Sequence, residues 1–91
     1  MSINANDAEA YRCRGMTYAI KHNFDQAISD YTIAIKINPE FTRAYQNRWL
    51  AYYHKGDYDR AWEDVHKVET LGGKVPPDLL EELKKASGRE K

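Results

Sequence analysis

This chain is poor in the residue patterns that announce chemistry. It carries one cysteine, Cys13, so an internal disulfide is excluded and a reducing, cytoplasmic compartment is expected. Cys13 also lacks a Cys-x-x-Cys partner, and a packing role within a helix is its expected use. His22, His54 and His66 are scattered, with no pair at i, i+4 and no carboxylate arranged beside them. That pattern argues against a metal site or an acid–base pair and suits turn and surface histidines. The five glycines form no phosphate-cradling loop, and the lone doublet Gly72-Gly73 reads as a helix stop. No run approaches the ~18 apolar residues of a membrane helix. The first twenty residues lack a basic start followed by an apolar stretch, so no secretory leader is expected. Charge of one sign is missing too: fourteen basic residues balance fourteen acidic ones. A polyanion-binding surface normally leaves a basic excess, so nucleic acid is not expected as a partner. Together these absences leave no cofactor, no metal and no enzyme to expect.

What is present is ordinary globular material, 42% apolar and 31% charged, arranged twice over. At this length one small domain, residues 1–91, is the natural unit, and it buries only roughly 60–65% of its unfolded surface. Residues 8–41 laid over 42–75 give identical pairs at Ala10/Ala44, Tyr11/Tyr45, Arg14/Arg48, Tyr18/Tyr52, Lys21/Lys55, Asp25/Asp59, Ala27/Ala61 and Asp30/Asp64. Met16/Leu50, Phe24/Tyr58 and Ile37/Leu71 are conservative. A fixed offset of ~34 residues is the period of a helix–turn–helix array.

Within each unit the apolar spacing is helical. Ala10, Tyr11, Arg14 and Tyr18 fall on one side of a first helix, and Phe24, Ala27, Ile28, Tyr31 and Ile35 on one side of a second. "KHNFD" and "KGDYD" supply the stop and restart: Gly56 suits a left-handed cap, and Asn23 and Asp57 suit N-caps. Pro39 cannot continue the second helix and opens the next unit. Four helices are predicted, at roughly 7–21, 24–37, 42–55 and 58–71. In "KVPPDLLEELKKASGREK", Pro76-Pro77 starts a fifth. Asp78, Glu81 and Glu82 suit its positive end, and Lys84 and Lys85 its negative end. Leu79, Leu80 and Leu83 give it an apolar edge, and Gly88 ends it. Residues 76–88 are read as a capping helix that covers the last apolar face.

Residues at these spacings resemble the tetratricopeptide repeat family. Tyr11, Gly15, Tyr18, Phe24, Ala27, Tyr31, Ala34 and Pro39 occupy its signature positions in the first unit. Tyr45, Tyr52, Tyr58 and Ala61 do so in the second, within "KGDYDRAWED". The resemblance covers about residues 8–71. It implies an all-α, right-handed stack of antiparallel helix hairpins, about five helices in all. One departure stands out: the second unit has Trp49 where the first has Gly15, and Val65 where the first has Tyr31. Bulk has moved from one helix to the other, the kind of volume-conserving exchange that a core tolerates. Trp49 is therefore expected to be buried within the second hairpin.

In this family the first helix of each hairpin lines the concave face. The resemblance implies that Glu9, Arg12, Cys13, Met16 and Ile20 lie there, followed by Arg43, Gln46, Asn47, Leu50, Tyr53 and His54. Met16, Leu50 and Tyr53 form an apolar strip, with Arg12, Gln46 and Asn47 as hydrogen-bonding groups beside it. The expected peptide-binding set is Arg12, Met16, Ile20, Arg43, Gln46, Asn47, Leu50 and Tyr53. The expected function is a protein–protein interaction scaffold that binds a peptide or helix of a partner. The alternative is a structural module that self-associates into a homo-oligomer through exposed apolar helix surface. A carboxylate clamp of the co-chaperone subtype fits poorly. Asn47 in "YQNRW" and Arg12 match it, but Met16 replaces an asparagine and Pro77 and Glu81 stand where basic residues belong.

Overall fold

The computed structural model describes residues 6–91. Residues 1–5 of the expected domain lie outside the described residues. Asp7 starts the first helix, α1 (Ala8–Ile20), its carboxylate accepting the Ala10 amide at 3.0 Å. The other helices are α2 (Phe24–Ile37), α3 (Thr42–Lys55), α4 (Tyr58–Thr70) and α5 (Pro77–Ser87). No strand occurs among the described residues. α1 packs on α2, α3 on α4, α2 on α3, and α5 on α4, giving a stack of helix hairpins.

The turns within the hairpins follow one plan with different residues. Gly56 ends α3 in the left-handed conformation, at φ 89°. The equivalent residue after α1 is His22, held at φ 63° without a glycine's freedom. Histidine is among the side chains that visit this region, at a cost of roughly 1–2 kcal/mol. Asp57 caps α4 by accepting the Arg60 amide, whereas Asn23 occupies the N-cap position of α2 without a side-chain bond. The sequence expectation for Asn23 is corrected to that extent. Between hairpins, the Tyr45 hydroxyl donates to the Pro39 carbonyl at 3.1 Å and pins the connecting turn.

The close approach within the first hairpin is made at Gly15. A Cβ there would lie 2.6 Å from Cε1 of Tyr31, so the tyrosine ring occupies the place of the missing side chain. In the second hairpin Trp49 and Val65 are both buried and belong to one cluster with Tyr45, Ala61, Trp62, Val68, Val75 and Leu83. The Trp49 indole donates to Gln46 Oε1 at 2.8 Å, which settles its one polar atom. A smaller cluster of Ala27, Tyr31 and Ala51 joins the two hairpins.

Each hairpin also carries the same ion pair. Arg14 grips Asp30 through Nε and Nη2, both at 2.8 Å. Arg48 grips Asp64 through the same two nitrogens, at 2.7 and 2.8 Å. Both aspartates are buried, and a buried carboxylate needs this bidentate partner. Each guanidinium lies between two tyrosine rings, Tyr11 and Tyr18 for Arg14, Tyr45 and Tyr52 for Arg48. The identical pairs were visible in the sequence; their union across each hairpin was not.

α5 closes the far end. Pro77 takes its first helical position, where a missing N–H is harmless. Leu83 is fully buried against the second-hairpin core, at the position corresponding to Trp49 one period earlier. The Trp62 indole donates to the Ser87 hydroxyl at 2.9 Å, and Arg89 lies over the Trp62 ring while pairing with Asp59.

Candidate functional site

α1 and α3 touch, and between them lies a cavity of about 570 Å³. Met16, Ala19 and Ile20 of α1 form one wall, and Asn47, Leu50, Ala51 and His54 of α3 the other. His22 of the first turn and Phe24 and Tyr31 of α2 complete the lining. Among the described residues, Met16 and Ile20 are the large apolar side chains left exposed, Ile20 at 78%.

The aromatic end of the cavity is built by stacking. Phe24 stacks on His22 and on His54, with ring centroids 5.8 and 5.3 Å apart. The histidines that are scattered in the sequence thus converge on one phenylalanine, while His66 lies elsewhere, against Trp62. Among the described residues no group of three or more histidine, cysteine, aspartate or glutamate side chains is placed to hold a metal.

The polar end is organised around Arg12. Its guanidinium donates to both Glu9 oxygens, at 3.1 and 2.5 Å. Nη1 then reaches Asn47 Oδ1 at 3.0 Å and Met16 Sδ at 3.1 Å, so the side chain bridges α1 and α3. The Arg12 hydrogen bond holds the Glu9 carboxyl below its usual range, against the smaller opposing effect of burial. Arg12 therefore already carries a carboxylate. Glu81, which stands where the clamp would need a basic residue, is exposed on α5 and pairs with Lys84 at 3.5 Å.

The eight residues expected at the site divide into three groups. Met16, Ile20, Asn47 and Leu50 line the cavity. Arg12 borders it through Asn47, and Arg43 is exposed on α3. Gln46 and Tyr53 are engaged within the fold. The Gln46 amide donates to the Lys74 carbonyl at 2.7 Å while its oxygen accepts from Trp49. Tyr53 packs against Trp49, His54 and Tyr58. Ala19, His22, Phe24, Tyr31 and Ala51 also line the cavity and escaped sequence reasoning.

Cys13 is exposed on α1, not packed as expected: no described element covers its side of the helix. Local desolvation and a hydrogen bond to Glu9 push its thiol above the usual range, which keeps it a weak nucleophile.

Residues 8–41 match the family model described as tetratricopeptide repeat. The match spans α1 and α2, the first of the stacked hairpins. Residues 8–41 are a tetratricopeptide repeat, set in a five-helix stack of the kind such repeats build. Tetratricopeptide repeats mediate protein–protein interaction and act as non-catalytic scaffolds. No helix among the described residues is long and apolar enough to cross a membrane.

Proposed function

We propose that this tetratricopeptide-type protein binds an extended or helical segment of a partner protein along α1 and α3, with an apolar side chain of that segment in the cavity. The observation that carries this reading is the cavity itself: about 570 Å³, walled by Met16, Ile20, Phe24 and Leu50, with Ile20 almost bare. A cavity of this size admits one or two large side chains, and apolar contacts supply the affinity. Asn47 beside it, already oriented by Arg12, offers its amide N–H groups to a backbone carbonyl. The Glu9–Arg12 pair is close to neutral, so the site favours an apolar anchor over a charged one.

A displayed library of random 16-residue peptides, panned against the purified chain, tests this. The expected result is a selected family with spaced apolar residues whose binding is lost in Leu50→Glu, while circular dichroism of the variant stays helical. His22→Gly offers a second check, because the position equivalent to Gly56 accepts glycine readily and only the ring is removed. That variant should fold normally and bind more weakly. Selected peptides indifferent to both substitutions would remove the cavity from the function. A dimer in sedimentation that Leu50→Glu disperses would favour self-association through this surface.

A further inference from the structure

The two hairpins carry the same tyrosines and arginine on the face that, in the second hairpin, meets the hairpin before it. There the Tyr45 hydroxyl donates to Pro39 O, Arg48 Nη1 donates to Thr32 Oγ1 at 3.2 Å, and Ala51 is buried with Ala27 and Tyr31. One period earlier stand Tyr11, Arg14 and Thr17 on α1. Arg14 is fixed as Arg48 is, by the same two bonds to a buried aspartate and the same tyrosine pair. Among the described residues, however, no acceptor meets Arg14 Nη1 and no hydrogen bond engages the Tyr11 hydroxyl. The Arg14 side chain is 42% exposed against 17% for Arg48, and Thr17 is exposed where Ala51 is buried. The face is preformed around a guanidinium that its own hairpin holds in place.

We propose that the Tyr11–Arg14–Thr17–Tyr18 face of α1 is a second docking surface, which takes one helix of a partner protein presenting the features that α2 presents to α3. The established α2–α3 contact specifies that helix. It carries a hydroxyl for Arg14 Nη1, as Thr32 does for Arg48, and small or apolar residues against Thr17, as Ala27 does against Ala51. It ends in a turn whose carbonyl meets the Tyr11 hydroxyl, as Pro39 does for Tyr45. A second copy of this chain does not fit the description, because its own α2 is covered by α3 and its α4 is covered by α5. The surface shares no residue with the cavity, so its failure and that of the cavity reading are separable.

The test uses the full chain, isotopically labelled for NMR, and a synthetic peptide of residues 24–39 as the probe. A covalent brace between positions 25 and 29, both exposed in the fold, holds the peptide helical, as circular dichroism verifies. The expected result is amide shifts at Tyr11, Arg14, Thr17 and Tyr18. Thr17→Arg, at an exposed position, should weaken binding about tenfold or more, and Glu82→Gln, at an exposed position of α5, should leave it unchanged. A probe with Thr32→Val should bind several-fold more weakly. Shifts confined to Met16, Asn47 and Leu50, no shift at all, or indifference to Thr17→Arg would overturn the proposal. So would a dimer of the chain that Thr17→Arg disperses, since a second copy would then cover the face.

Discussion

Tyr31 serves the first hairpin, the contact between hairpins and the cavity at once. Its ring fills the space over Gly15, its side chain joins the cluster with Ala27 and Ala51, and it lines the cavity. Burial pushes its phenol from 10.0 up to about 12, with Arg12 opposing the rise weakly. The consequence for stability has a definite sign. Between those values an unfolded chain has released this proton and the folded chain still holds it, so stability falls as pH rises through the window. The full loss is about 2–3 kcal/mol. Tyr31→Phe keeps the ring over Gly15 and removes the titrating group. Urea denaturation at about pH 8 and about pH 11.5 should therefore show a smaller alkaline loss in the variant. An equal loss in both proteins would mean that Tyr31 does not set the slope. Arg14 and Arg48 teach a related lesson at this scale. One sequence pattern yields two environments, because α2 covers Arg48 and no described element covers Arg14.

At the scale of elements, the hairpins were legible because each is a local construction. A helical apolar period, a cap and a glycine or proline stop are all read within a few residues, and the observed ends differ from the expected ones by a residue or so. The fifth helix was legible for the same reason, down to Leu83 on its apolar edge. The cavity was only half legible. Met16, Ile20, Asn47 and Leu50 follow from the inner side of α1 and α3. His22, Phe24 and Tyr31 come from a turn and from α2, and only the packing of three helices brings them together. The stacking of His22 and His54 on Phe24 leaves no trace in sequence spacing, since His22 owes its position to a left-handed backbone that glycine holds in the second unit. Cys13 fails in the opposite direction, having helical spacing but no neighbour to pack against. α5 gives this scale its prediction. Leu83 is buried between α5 and the second-hairpin core, so Leu83→Ala should cost about 2–5 kcal/mol and lower the melting temperature by several degrees per kcal/mol. Ser87→Ala, which removes only the acceptor for Trp62, should cost far less. Thermal melts followed by Trp fluorescence check both. If the two variants melt alike, α5 is not held by its apolar edge.

For the molecule as a whole, the two hairpins are unequal. The second holds Trp49, Trp62, Val65, Val68 and Leu83 in one buried cluster and has α5 across its end. The first relies on Ala27 and Tyr31, with Ala51 borrowed from α3, and no other described helix covers its outer face. In a stack stabilised by nearest-neighbour contacts, the hairpin with one neighbour and a smaller core opens first. Native-state hydrogen exchange should therefore show α1 amides such as Tyr18 and Ala19 exchanging through openings of lower free energy than Trp49 in α3 or Val65 in α4. Equal protection throughout would mean that the Arg48–Thr32 bond and the Ala51 contact couple the hairpins into a single unit. The asymmetry bears on function because both candidate surfaces depend on α1. A ligand in the cavity bridges the weaker helix to the stronger one, and a helix on the Arg14 face gives the first hairpin the neighbour that the second already has. Either should slow exchange in α1 more than in α4, by the free energy of binding linked to that local opening. The two are told apart by where the perturbed amides lie: along Met16, Asn47 and Leu50 for the cavity, and along Tyr11, Arg14 and Thr17 for the open face. A ligand that protects α4 as much as α1 would be binding neither surface.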